Sequence, residues 1–130
     1  MHWSQIVQFG NIQPLRDVLV ELGELVEPDG YDVKEYVRGG WLFLPRHRPW
    51  SLEAPAVVLR LDEYEVDDET FANPELAKKE GLKLVLSGMD VQSIICNARQ
   101  QKRDVSLDEI FAALVYYYDF DAFTDLSSHA

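Results

Sequence analysis

The sequence predicts an α+β domain, with a small central sheet, helices packed on it and a long C-terminal helix. Amphipathic helical periodicity marks both ends of the chain. Short β-rich apolar runs occupy its middle. The 130 residues are 47% hydrophobic and 12% aromatic, which is enough for one hydrophobic core. Residues 1–130 therefore read as a single domain.

The first helix is expected over residues 13–26, where Leu15, Val18, Leu19, Leu22 and Val26 recur at helical spacing. Pro14 falls in its first turn, where a missing N–H costs nothing. Glu21 and Glu24 take the opposite, wet face, and Pro28, Asp29 and Gly30 supply the turn that ends the element. Residues 31–37 have no decisive pattern, and Gly39 and Gly40 break the chain. Trp41, Leu42, Phe43 and Leu44 read as a buried strand stopped by Pro45. Residues 56–61 read as a second strand. The loop between the two is long, so antiparallel pairing is open rather than fixed.

Residues 62–69 hold six carboxylates, Asp62, Glu63, Glu65, Asp67, Asp68 and Glu69. Like charges at this density cannot be buried together, which makes the run a solvated loop or strand extension. Asn73, Pro74 and Glu75 form a helix start, with a capping residue, a first-turn proline and an acid at the positive helix end. That short helix stops near Gly81. Residues 82–86 fit a strand or further helix equally. Asp90 is expected to cap the next helix, whose apolar face is Val91, Ile94, Ile95 and Ala98. It ends in the polar run 99–103, where basic residues suit the dipole. Ser106 and Glu109 match a capping box. The helix that follows places Leu107, Ile110, Phe111, Leu114, Val115 and Tyr118 on one face.

Charge narrows the function classes. The net charge is −11, from 23 acidic and 12 basic side chains. Such a field opposes nucleic acid and anionic membrane surfaces. It favours a basic partner and speeds encounter with one, unless acidity serves solubility alone. The single Cys96 cannot form an internal disulfide, which fits a reducing compartment. Its setting between Ile95 and Ala98 reads as a buried small hydrophobe, not a nucleophile. The N-terminus has no signal-peptide pattern and no apolar run reaches about 18 residues, so a cytoplasmic protein without a membrane span is expected.

Catalytic and metal chemistry find little support. A calcium loop needs oxygen ligands at alternating positions and a glycine turn, and the acidic run at 62–69 has neither. Asp119, Phe120 and Asp121 resemble a phosphoryl-transfer Asp-x-Asp, but they follow a helix instead of a strand. Acids at a helix C-terminus oppose the dipole, a hint that these two serve another purpose. His2 and His129 lie near the ends, and His47 sits between Arg46 and Arg48. No nucleophile elbow, paired-cysteine motif or glycine-rich phosphate loop occurs. The chain reads as a binding protein rather than an enzyme, with no cofactor and no metal.

Two aromatic segments stand out. The loop Arg46, His47, Arg48, Pro49, Trp50 could hold an anion or stack a base, but the net charge favours pairing with the protein's own acids. Tyr116, Tyr117 and Tyr118 point about 100° apart on a helix, so all three cannot enter the core. Tyr118 continues the apolar face, which leaves Tyr116 or Tyr117 at the surface beside Asp119. Exposed tyrosines beside carboxylates are good contacts for arginine and lysine.

Several stretches together resemble a known family. They are Trp41 to Pro45; Pro49 and Trp50 with Val57, Val58 and Leu59; Asn73 to Ala77; Gly81 and Leu82; Val91 to Ile94 with Asn97; and Tyr116 to Asp119 with Asp121, Ala122 and Phe123. Over residues 40–126 this pattern resembles small bacterial proteins similar to immunity proteins of polymorphic toxin systems, including contact-dependent growth inhibition. The resemblance implies a cognate toxin domain, often a nuclease, bound in the cytoplasm of the producing cell. A basic, phosphate-gripping nuclease would meet an acidic mimic of its substrate backbone. The resemblance carries no catalytic residues.

The leading expectation is an immunity protein that blocks a basic toxin domain. It would use Asp62, Glu63, Glu65, Asp67, Asp68 and Glu69, or Tyr117, Asp119 and Asp121. The alternative is a small acidic regulatory or adaptor domain that binds a host protein through an apolar groove involving Trp3, Trp41 or Trp50.

Overall fold

The computed structural model describes residues 10–60 and 79–126. Among the described residues, four strands and three helices follow one another: β1 (Gln13–Pro14), α1 (Leu15–Glu24), β2 (Gly40–Pro45), β3 (Pro55–Arg60), β4 (Leu82–Ser87), α2 (Gly88–Gln101) and α3 (Leu107–Phe120). The sheet is antiparallel throughout, in the order β1-β3-β2-β4. This is the expected α+β class, with the long helix α3 near the C-terminus.

Strands β2 and β3 form because both are rich in branched and aromatic residues. They pair from Gly40 opposite Arg60 to Phe43 opposite Val57. That register sorts their side chains by alternation onto two faces. Leu42, Leu44, Ala56 and Val58 join the main core, and Phe43 and Val57 join a second cluster with Leu82. Trp41, Leu59 and Leu84 pack around this second cluster. A sheet apolar on both faces reads as continuous apolar runs, which is how β2 and β3 look in the sequence.

Residues 82–86, open between helix and strand, lie in β4. The pairing with β2 contains a bulge. Leu42 faces Leu86 and Phe43 faces Leu84, so Val85 is an extra residue without its own partner. The bulge changes the phase of β4, and Val85 and Leu86 both reach the main core while Leu82 stays with the second cluster.

All three helices feed the main core. Leu15, Val18, Leu19 and Leu22 of α1 are buried as their spacing predicts, and each such side chain contributes about 1.5–3 kcal/mol of apolar transfer. Pro14 is the residue before α1 rather than part of its first turn, because Gln13 and Pro14 pair with β3 in extended conformation. Helix α2 is central and touches α1, α3, β2 and β4. Its N-cap is Ser87 rather than Asp90. The Ser87 hydroxyl accepts a hydrogen bond from the Asp90 N–H at 3.0 Å, and Asp90 lies in the first turn, where its charge suits the dipole. The capping box at Ser106 and Glu109 is present in both directions.

Three connections fix the segment between α1 and β2. The Glu27 carbonyl accepts from the Gly30 N–H at 2.9 Å, which closes the turn at Pro28 and Asp29. Gly30 has φ +79° and lies so close to α2 that a Cβ there would overlap the Cys96 carbonyl oxygen, so only glycine fits. Gln92 is fully buried. Its Oε1 accepts from the Val37 N–H at 3.0 Å and its Nε2 donates to the Glu35 carbonyl at 2.9 Å.

Helix α1 has no basic residue in its last turn. Arg99 of α2 takes that role across the interface, donating from Nη1 to the Gly23 and Val26 carbonyls, each at 2.9 Å. A cation at the negative end of α1 satisfies both the dipole and two orphan carbonyls. Among the described residues, no helix is long and apolar enough to cross a membrane.

Candidate functional site

The C-terminal end of α3 sorts its side chains into two environments. On one side, Tyr118 packs against Trp50 with ring centroids 5.2 Å apart. Trp50 is only 6% exposed, and its indole N–H donates to the Pro45 carbonyl at 2.8 Å. The Arg48 guanidinium lies 4.7 Å from the Trp50 ring centroid and grips Asp119 with both nitrogens, at 2.6 and 3.1 Å. Lys83 stands 5.5 Å from the Tyr118 ring. Arg48 of the basic loop thus pairs with one of the protein's own acids, Asp119. The hydrogen bond from Arg48 holds the Asp119 carboxyl below the usual carboxylate range.

On the other side, Tyr116 packs on Phe120 in a tilted pair with ring centroids 4.7 Å apart, and Tyr117 on Phe123 likewise at 5.4 Å. Tyr117 is half-buried. Burial pushes its phenol pKa up first, and the charges of the Asp90 and Asp121 carboxylates push it further. Asp121 ends α3 in the left-handed conformation, φ 52°, with its N–H donating to the Tyr117 carbonyl at 2.7 Å. A short polar side chain tolerates that conformation best, which gives Asp121 a structural reason to follow the helix. Asp119 has its own reason in Arg48.

Phe123 links this cluster to a recess of about 300 Å³ that it lines with Tyr31, Asp32, Tyr36, Cys96 and Asn97. Tyr31 is 75% exposed, Phe120 65% and Phe123 47%. The result is a band of aromatic rings at the surface, interleaved with carboxylates. Cys96 borders it half-buried, not fully buried as its neighbours suggested, and burial raises its thiol pKa. Among the described residues, no three His, Cys, Asp or Glu side chains gather where they could hold a metal ion.

The candidate residues from the sequence divide three ways. Asp62, Glu63, Glu65, Asp67, Asp68 and Glu69 lie outside the described residues. Tyr117 packs on the aromatic band, and Asp121, at the end of α3, is joined to it by a backbone hydrogen bond. Asp119 is about 200° round the helix from Tyr117 and is already paired with Arg48. Phe123, Tyr31 and Tyr36 were not proposed as binding residues from sequence. Aromatic residues in non-helical segments were their only local signal. Of the tryptophans weighed for an apolar groove, Trp50 is a core residue, Trp41 packs against the second cluster, and Trp3 lies outside the described residues.

This surface combines aromatic faces with carboxylates. A guanidinium or ammonium would meet tyrosine faces and carboxylates together, the pairing that cation–π and charge-assisted hydrogen bonds require. Residues 15–126 match the family described as Domain of unknown function (DUF7716), and the chain belongs to it. Neither the comparison with curated proteins nor that with solved structures gives a match.

Proposed function

We propose that this DUF7716 member is an immunity protein, which binds a cognate basic toxin domain, a nuclease in the leading case, and neutralises it in the cytoplasm of the producing cell. The observation that supports this reading is the half-buried Tyr117 ring packed on Phe123, which lines a recess with the exposed Tyr31 and Tyr36 and the carboxylate of Asp32. An arginine or lysine of the toxin lies on the aromatic surface and bonds its carboxylates, Asp32 of the recess and the exposed Asp121 at the end of α3. Tyrosine at the centre of such a patch supplies rigid contact area, which is where binding energy concentrates. The net charge of −11 accelerates encounter with a basic domain. The reading makes no use of catalysis, metal or cofactor.

The test is binding of the toxin domain encoded beside this chain, measured by surface plasmon resonance with Tyr117→Ala and Asp121→Lys variants. The expected result is a loss of at least tenfold in affinity for each, with association rates falling as salt rises. Unchanged affinity in both variants would remove this surface from the interface.

A further inference from the structure

A second recess lies on the opposite chemistry. Between α1, the C-terminal end of α2 and the start of α3 runs a groove of about 470 Å³. That size falls within the roughly 300–1,000 Å³ of small-molecule sites. Its floor is apolar, formed by Leu19, Val20, Val26, Val105, Leu107 and Ile110. Val20 is exposed there although it lies on a packed helix. Three cations also line the groove, Lys34, Arg99 and Arg103, against one acid, Glu24. On a chain with almost twice as many acids as bases, that concentration of positive charge over an apolar floor is a local inversion.

Arg99 is held ready. Its Nη1 is occupied by the Gly23 and Val26 carbonyls, which fixes the plane of the guanidinium. Arginine has five N–H donors, and the edge formed by Nε and Nη2 has no partner among the described residues. Nη2 lies 3.1 Å from where a Cβ on Gly23 would stand, and Gly23 itself lines the groove, so the missing side chain leaves the guanidinium room. Two parallel N–H groups match the two oxygens of a carboxylate. Arg103 and Lys34 are exposed and add charge without a fixed direction.

We propose that this groove binds a small amphiphilic carboxylate, with its head on Arg99, Arg103 and Lys34 and its apolar tail along Val20, Val105 and Ile110. The site is separate from the acid–aromatic surface and does not rest on the toxin-binding reading. The charge of the groove selects the head, and the apolar floor selects a tail.

The probe is decanoate, titrated into the full chain by calorimetry at physiological salt, with amide shifts followed by NMR. Saturable one-to-one binding is expected, with shifts centred on Val20, Val105 and Ile110. Butyrate, decanol and decylammonium should each bind at least tenfold more weakly. Lys34→Glu and Arg103→Glu, both at exposed positions, should each weaken decanoate at least fivefold. Arg46→Glu, the same charge change outside the groove, should leave it unchanged. Absence of saturation at millimolar decanoate would overturn the assignment. So would equal binding of decylammonium, or full affinity in Lys34→Glu and Arg103→Glu. Occupation of the groove by an acidic amphipathic peptide when decanoate leaves the shifts unmoved would also overturn it, in favour of a protein occupant.

Discussion

Replacing Gln92 by leucine tests how the loop that carries Tyr31 and Tyr36 is held. Gln92 is fully buried in α2 and makes two hydrogen bonds to backbone, one with the Val37 N–H and one with the Glu35 carbonyl. Leucine matches it closely in volume and removes both partners. A buried backbone group left unsatisfied costs about 1–3 kcal/mol. Two such groups, partly offset by the apolar gain of leucine, give a loss of about 2–3 kcal/mol. For a chain of this size each kcal/mol moves Tm by about 3–4 °C, so the midpoint should fall by about 6–12 °C. Urea unfolding should show the same loss in Cm at constant m, and amide exchange at Val37 should quicken. Gln92→Glu separates the two bonds, since it keeps the acceptor for Val37 and loses the donor to Glu35 while ionised. Relative to wild type it should be less stable at pH 8 than at pH 5, where the protonated acid can donate again. A Gln92→Leu variant within 0.5 kcal/mol of wild type, on the scale of ordinary surface changes, would refute the claim that this side chain ties the loop to α2.

Other consequences can be measured as readily. Arg99→Met leaves the Gly23 and Val26 carbonyls without their charged donor and should cost about 1–3 kcal/mol in urea unfolding, with α1 amides exchanging first. Asp119 titrates below its ordinary range because Arg48 donates to it. Its stabilising contribution is therefore complete above the unfolded-state carboxylate range and is lost as pH falls through the depressed value, and Arg48→Ala should return the Asp119 titration, followed by carboxyl NMR, to the ordinary range. The Tyr117 phenol is shifted the other way, so its contribution is complete below the ordinary phenol range and fades as pH rises through the raised value. Asp121→Asn should bring its ultraviolet titration down. Cys96 has a thiol pKa raised by burial, so it should react with a disulfide reagent more slowly at pH 7 than a free cysteine and gain speed with alkalinity.

The parts of the fold written in local chemistry were legible in the sequence. Periodicity located α1 and its buried leucines, the Ser106–Glu109 box located the start of α3, and the apolar runs located β2 and β3. What escaped depends on tertiary contact. Residues 82–86 were ambiguous because a bulge at Val85 breaks strict alternation, and only pairing with β2 decides the matter. Asp90 looked like a cap because acids favour helix starts, yet Ser87 three residues earlier offers the hydroxyl at the right distance. Gln92 and Arg99 looked like ordinary polar helix residues, because their partners lie 55 to 76 positions away. At the candidate site, helical spacing pointed to a surface position for Tyr116 or Tyr117, and the helix dipole drew attention to Asp119 and Asp121. Asp119 belonged to the same run of letters but faces Arg48, and Phe123, Tyr31 and Tyr36 join only when the chain folds.

Co-expression tests the central claim most directly. The C-terminal domain encoded immediately upstream of this chain is induced with wild type, with Tyr117→Ala/Asp121→Lys, or with Arg46→Glu, and growth is scored with complex recovery. The account predicts rescue and a recoverable complex with wild type and Arg46→Glu, and loss of both with the double variant at equal soluble expression. A toxin that kills equally in the presence of wild type, or full rescue by the double variant, would contradict it.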